Sequence, residues 1–188
     1  MITKSPMDIT LGDDVYDSNA HAITVIDEPH KMIHEGFMYK AWHKFSAVAD
    51  AASVYVHIKV PAAVFPHFHD FTVAVGAGDV DISVFEGPTT SADGTALTER
   101  SLNRNGTVDA SDVDLYHTPT VSADGTEIRS TWIPPTAAGV GNSDSGALED
   151  ADYEMLLKPS TNYLVKITNN SGGSIDIHCK TYWYEINF

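Results

Sequence analysis

The chain has 188 residues, with 26 acidic residues against 11 Lys plus Arg, a formal net charge of −15 and 43% hydrophobic residues. That length supports one well-buried core, and the charge disfavours nucleic acid and anionic membrane surfaces, with no Lys/Arg cluster along the sequence to offset it. No apolar run approaches the ~20 residues needed to cross a bilayer, and Met1 to Thr10 has neither the basic end nor the apolar centre of a signal peptide, so a soluble chain is expected.

Residues 1–22 are polar and aperiodic and are read as an extended N-terminal arm, with one β-sandwich domain over 23–188. His30 and His34 have the spacing of one helical face, and Pro29 would start a helix, but Gly36 ends it early, so a connector is the plainer reading. Period-two alternation predicts strands over Phe37 to Phe45, Ser53 to Val60, Phe71 to Val75 and Val80 to Val84. Further strands fit Val113 to Tyr116, Glu127 to Ile133, Tyr163 to Thr168 and Ile175 to Tyr184. Asn169 to Gly173 reads as a Gly-rich hairpin joining the last two. Ala137 to Asp152 reads as loop, with a turn of helix available over Asp144 to Asp152. Many short strands with Gly, Pro and Asn turns predict an all-β fold, a β-sandwich or jelly roll with one sheet face inside and one outside.

One phrase is written twice. Pro88-Thr89-Thr90-Ser91-Ala92-Asp93-Gly94-Thr95 returns as Pro119-Thr120-Val121-Ser122-Ala123-Asp124-Gly125-Thr126, identical at seven of eight positions. Upstream, Asp79-Val80-Asp81-Ile82 is echoed by Asp112-Val113-Asp114-Leu115, with a two-residue slip. The expected meaning is two similar β-hairpins, each closed by an Asp-Gly turn, lying together.

Candidate chemistry is sparse. His67 and His69 are two apart on a strand, as in a cupin metal site, but the Glu that such a site needs a few residues on is missing. They share parity with Phe71 and Val73, so the plainer place for them is the core margin. The Asp79/Asp81 and Asp112/Asp114 pairs would suit acid–base work or Ca²⁺; a solvated outer face explains them more simply. Calcium at Asp93 or Asp124 lacks the 12-residue loop pattern. Cys179 shares parity with Ile175, Ile177 and Trp183 and is expected in the core rather than as a nucleophile. No Gly-x-Ser-x-Gly elbow, phosphate-binding Gly loop or Cys-x-x-Cys is present. No enzyme activity, metal or cofactor is expected.

The stretch from Val84 to Thr98, followed by Asn103-Arg104-Asn105, resembles a signature of tailed-bacteriophage virion proteins. Tyr116 to Thr126 fits the same pattern, as do Leu157 to Val165, Asn169 to Gly173, Tyr182-Trp183-Tyr184-Glu185 and the opening His34-Glu35-Gly36. The resemblance runs from about residue 30 to the end. It implies a capsid decoration, or cement, protein: β-rich, bound to the outside of the capsid through the major capsid protein, often a homotrimer, made in the host cytoplasm and carried on the virion. The arm would then reach across a neighbouring subunit. Two other readings stand beside this one. The first is a receptor- or glycan-binding module of a fibre or tail, contacting through Trp42, Trp132, Tyr182 and Tyr184. The second is a cupin-like metal-binding protein.

Overall fold

The structure, a computed structural model, describes residues 16–17, 22–23, 28–75, 78–105, 110–135, 144–147 and 154–187. Strands β1 (Tyr16–Asp17) and β2 (Ala22–Ile23) form a short antiparallel ladder, and helix α1 (Glu28–Glu35) follows. Then come β3 (Met38–Val48), β4 (Ser53–Lys59), β5 (Val64–Val75), β6 (Val80–Glu86), β7 (Thr89–Ala92), β8 (Thr95–Ala96) and β9 (Arg100–Ser101). The second half supplies β10 (Asp114–His117), β11 (Thr120–Ala123), β12 (Thr126–Ile133), β13 (Asp144–Ala147), β14 (Met155–Leu156), β15 (Asn162–Asn169) and β16 (Ile175–Asn187).

Apart from β1–β2 and β7–β11, which are separate two-stranded ribbons, these strands build two antiparallel sheets. One has the order β13-β5-β16-β3-β9, with β14 also on β5; the other has the order β12-β6-β15-β4-β10-β8. Successive long strands cross from sheet to sheet: β3, β4, β5 and β6 alternate, as do β15 and β16. The order β13-β5-β16-β3 facing β12-β6-β15-β4 is the strand arrangement of a jelly roll. The all-β sandwich expected from alternation is therefore what forms.

Between the sheets lies one core that includes Trp183, Tyr39, Tyr163, Ile82, Ile167, Ile177 and Val73. The Trp183 ring stacks on Phe68 at 5.4 Å. Each fully buried side chain of this size contributes roughly 1.5–3 kcal/mol of transfer free energy. Cys179 takes its expected place here, and burial pushes its thiol up to about 11.

Four expectations are corrected. Residues Glu28–Glu35 form a helix and not a connector. Pro29 sits in its first turn, Gly36 takes φ +92°, and Phe37 N–H reaches Met32 O at 2.9 Å to close it. Burial of Met32 against Met38 and Tyr184, on the outer face of the first sheet, supplies what the short sequence lacks. Secondly, Asn169 to Gly173 is an arch and no hairpin, because β15 and β16 belong to opposite sheets. Buried Asn169 holds it, donating from Nδ2 to Val48 O (2.9 Å) and Gly173 O (2.7 Å). Thirdly, Asp144–Ala147 is a strand paired with β5, although its residues favour turns. An available sheet edge overrides weak local propensity. Finally, the Asp-Gly turns do not close hairpins.

Of the expected arm, Tyr16, Asp17 and Ala22 form the β1–β2 ladder with Ile23. The rest of it lies outside the described residues.

Candidate functional site

The doubled phrase is the most organised surface feature. Strand β7 pairs with β11, so the two copies bind each other and not their own neighbours. The chain then passes through Asp93-Gly94 into β8, which pairs with β10, and through Asp124-Gly125 into β12, which pairs with β6. The two copies do lie together, as expected, but each turn hands the chain from the ribbon to the sheet beneath.

The exchange is reciprocal. Gly94 has φ +101°, and a Cβ there would run into His117 O; Gly125 has φ +98°, and a Cβ there would run into Glu86 O. His117 and Glu86 occupy equivalent places before the two copies, as do Thr118 and Gly87, both with positive φ (56° and 69°). Asp93 accepts a hydrogen bond from Lys59 Nζ on β4 at 2.8 Å, and Asp124 one from Lys166 Nζ on β15, also at 2.8 Å. The Lys59 ammonium holds the Asp93 carboxyl below the usual range. A local two-fold axis thus relates β6, β7 and β8 to β10, β11 and β12 and exchanges β4 with β15. It passes between Thr90 and Val121, cross-strand partners and the one position where the phrases differ. In the sheet it passes between His57 and Leu164, also cross-strand partners, both completely buried. The upstream two-residue slip preserves parity, so Val80, Ile82, Val113 and Leu115 all point inward.

His67 and His69 lie on β5, but not with Phe71 and Val73. Two residues of β5 oppose one step of β16 between Phe68 and Asp70, a bulge that switches the buried parity from even to odd. His67 therefore faces outward, and His69, the unpaired bulge residue, is half exposed at the mouth of a cavity lined by Phe68, Phe71 and Tyr163. There they meet the carboxylate that the local sequence lacks: Glu154 Oε2 is 3.0 Å from His67 Nδ1, and Glu154 Oε1 is 3.8 Å from His69 Nδ1. Tyr184 stacks on the His67 ring at 4.6 Å and donates its hydroxyl proton to Glu154 at 2.5 Å. Burial, then Glu154, pushes the Tyr184 phenol upward. Glu154 lies 85 residues beyond His69, beside β14, so no local spacing signal pointed to it. Among the described residues no three His, Cys, Asp or Glu side chains are arranged to hold a metal ion.

The acidic pairs are spread and not convergent. Asp79 accepts from the Trp132 indole, Asp81 accepts from Asn170 Nδ2 at 2.8 Å, and Asp112 and Asp114 are exposed. His30 and His34 face each other on α1, Nε2 to Nε2 at 3.0 Å, in solvent. Trp42 and Trp132 are 46% and 54% exposed, Tyr182 is half-buried and Tyr184 buried. Sequence reading found no basic cluster; the fold brings Arg100, Lys40 and Lys180 onto one face with Trp42 and Tyr182.

No family model and no curated protein matches this chain. Among solved structures, one described as "Structure of infectious bursal disease virus Gx strain" aligns at 11% identity and a TM-score of 0.13. The alignment covers 79% of this chain and 40% of that one. A likeness that slight carries no inference about fold or function.

Proposed function

We propose that this chain is a structural protein of a tailed-phage particle, one that binds the outer surface of the capsid and stabilises it as decoration proteins do. The observation behind this reading is the ribbon. The residues that resemble virion proteins, Pro88 to Thr95 and Pro119 to Thr126, form a largely exposed β-ribbon clamped at both ends onto a jelly roll. They serve shape and not reactivity. Jelly rolls serve capsids, lectins and cupins alike, so the scaffold by itself does not choose among them. A rigid surface suits a protein that docks without reorganising, and symmetric display multiplies a modest single contact. The partner would be the major capsid protein, engaged by homotrimers on the virion surface.

Co-sedimentation of the purified protein with capsids, and its copy number in virion images, test the reading. On the order of hundreds of copies per particle are expected for a repeated shell contact. A handful of copies at the tail would overturn it in favour of a receptor- or glycan-binding module, which the exposure of Trp132 favours. Glycan binding by the isolated protein would then follow.

A further inference from the structure

From the outer face of the β3–β16 sheet we infer a docking surface for an acidic protein partner. Five lysines already have carboxylates: Lys31 with Glu28 and Glu35, Lys44 with Asp176, Lys59 with Asp93, Lys158 with Glu86 and Lys166 with Asp124. Among the described residues Lys40, Arg100 and Lys180 have none, nor do Arg104 and Arg129. Lys40, Arg100 and Lys180 converge. Arg100 lies directly opposite Lys40 across β9 and β3, and Lys40 is opposite Tyr182 on β16; Lys180 is opposite Trp42. Like charges opposite each other weaken a sheet, so this row costs stability that an acid in either position would recover. An incoming carboxylate would remove the cost.

The aromatic rings narrow the choice of partner. Lys40 and Arg100 both sit over the Trp42 ring at 5.7 Å, and Lys180 sits over the Tyr182 ring at 5.4 Å. Cations already occupy the ring faces that a sugar or a base would stack on. The surface offers outward a set of donors held in place by rings, which suits carboxylates. Helix α1 covers the neighbouring part of the same sheet face through Met32, Met38 and Tyr184, whereas Trp42 stays 46% exposed. The net charge of −15 repels every polyanion from a distance alike, so the choice between carboxylates and a phosphate backbone rests on the short-range contacts of this patch.

The test uses the full chain and three probes of matched charge: poly-L-glutamate, heparin and a single-stranded DNA oligonucleotide. Binding is read by NMR shifts of the Trp42 indole and of the Lys40, Lys180 and Arg100 amides at low salt. Poly-L-glutamate is expected to shift this group, and to lose about tenfold in affinity in Lys40→Glu/Lys180→Glu, two half-buried charges being reversed. Lys40→Gln/Lys180→Gln keeps side-chain bulk and should fall between; Arg129→Glu, on the edge strand of the other sheet, should change nothing. Absence of shifts in the wild type, unchanged affinity in the reversed variant, or tighter binding of heparin or DNA than of poly-L-glutamate would each overturn the assignment.

Discussion

Glu185 is 3% exposed near the end of the last strand, and its carboxyl oxygens accept four hydrogen bonds. They come from Ser111 Oγ (2.6 Å), the backbone N–H groups of Asp112 (2.9 Å) and Val113 (3.2 Å), and Trp183 Nε1 (2.9 Å). One side chain therefore ties the segment before β10 to β16, joining the two sheets across the core. Replacing it by Ala would strand the buried Val113 N–H, the part-buried Asp112 N–H and an indole N–H. Glu185→Ala is expected to cost about 3 kcal/mol, which lowers the thermal midpoint by roughly 10 °C in a chain of this size. Ser111→Ala removes one donor and leaves three, so about 1 kcal/mol is expected. Calorimetric melts of the two variants check the ratio; equal losses would show that the hydroxyl, and not the convergence, matters.

At the scale of elements the ribbon makes the sharpest demand. Gly94 and Gly125 both hold positive φ with a backbone carbonyl where a Cβ would stand. Gly172 has φ +76° but open space around it. Gly94→Ala and Gly125→Ala should therefore each cost about 3 kcal/mol, strain and displaced backbone together, while Gly172→Ala costs about 1 kcal/mol for φ alone. Urea midpoints measure all three, and the local two-fold requires the first two to agree. Much of this was legible in the sequence: the doubled phrase, the strands and the outward acids all follow from period-two alternation. Pairing was not. An Asp-Gly turn signals reversal locally, but whether the flanking strands bind each other or their repeats depends on contacts thirty-one residues apart along the chain. Asn169 to Gly173 misleads in the same way, since a hairpin and an arch share turn residues. His67 and His69 were misplaced because a bulge shifts parity without changing composition, and Glu154 reaches them only through the β14–β5 pairing.

Across the whole molecule, three imidazoles set how the sandwich responds to acid. His57 lies on the local two-fold, fully buried, with neither ring nitrogen hydrogen-bonded; Asp93 Oδ1 is 3.6 Å from Nδ1, and Lys59 and Tyr116 are close by. Burial lowers its pKa below 6.5, outweighing Asp93, and Lys59 lowers it further. His43 on β3 and His117 on β10 stack at 3.8 Å between the two sheets, and burial lowers both, with His117 and His178 adding to the effect at His43. In the unfolded chain all three take up protons near pH 6.5, while the folded chain resists. Their contribution is thus fully present above pH 6.5 and is lost as pH falls from there towards the lowered folded values. Urea midpoints should hold level down to about pH 6.5 and fall from there to about pH 5.5, one unit below the free imidazole value. His57→Leu separates this site from the other two, because it places Leu opposite Leu164 and makes the two-fold homotypic. It removes two unpartnered buried nitrogens, so stability at neutral pH should rise by about 1–2 kcal/mol, and the acid slope should shrink by one proton of the three. A variant that loses stability at neutral pH would instead mean that the His57–Asp93 approach, long as it is, holds the ribbon to the sheet.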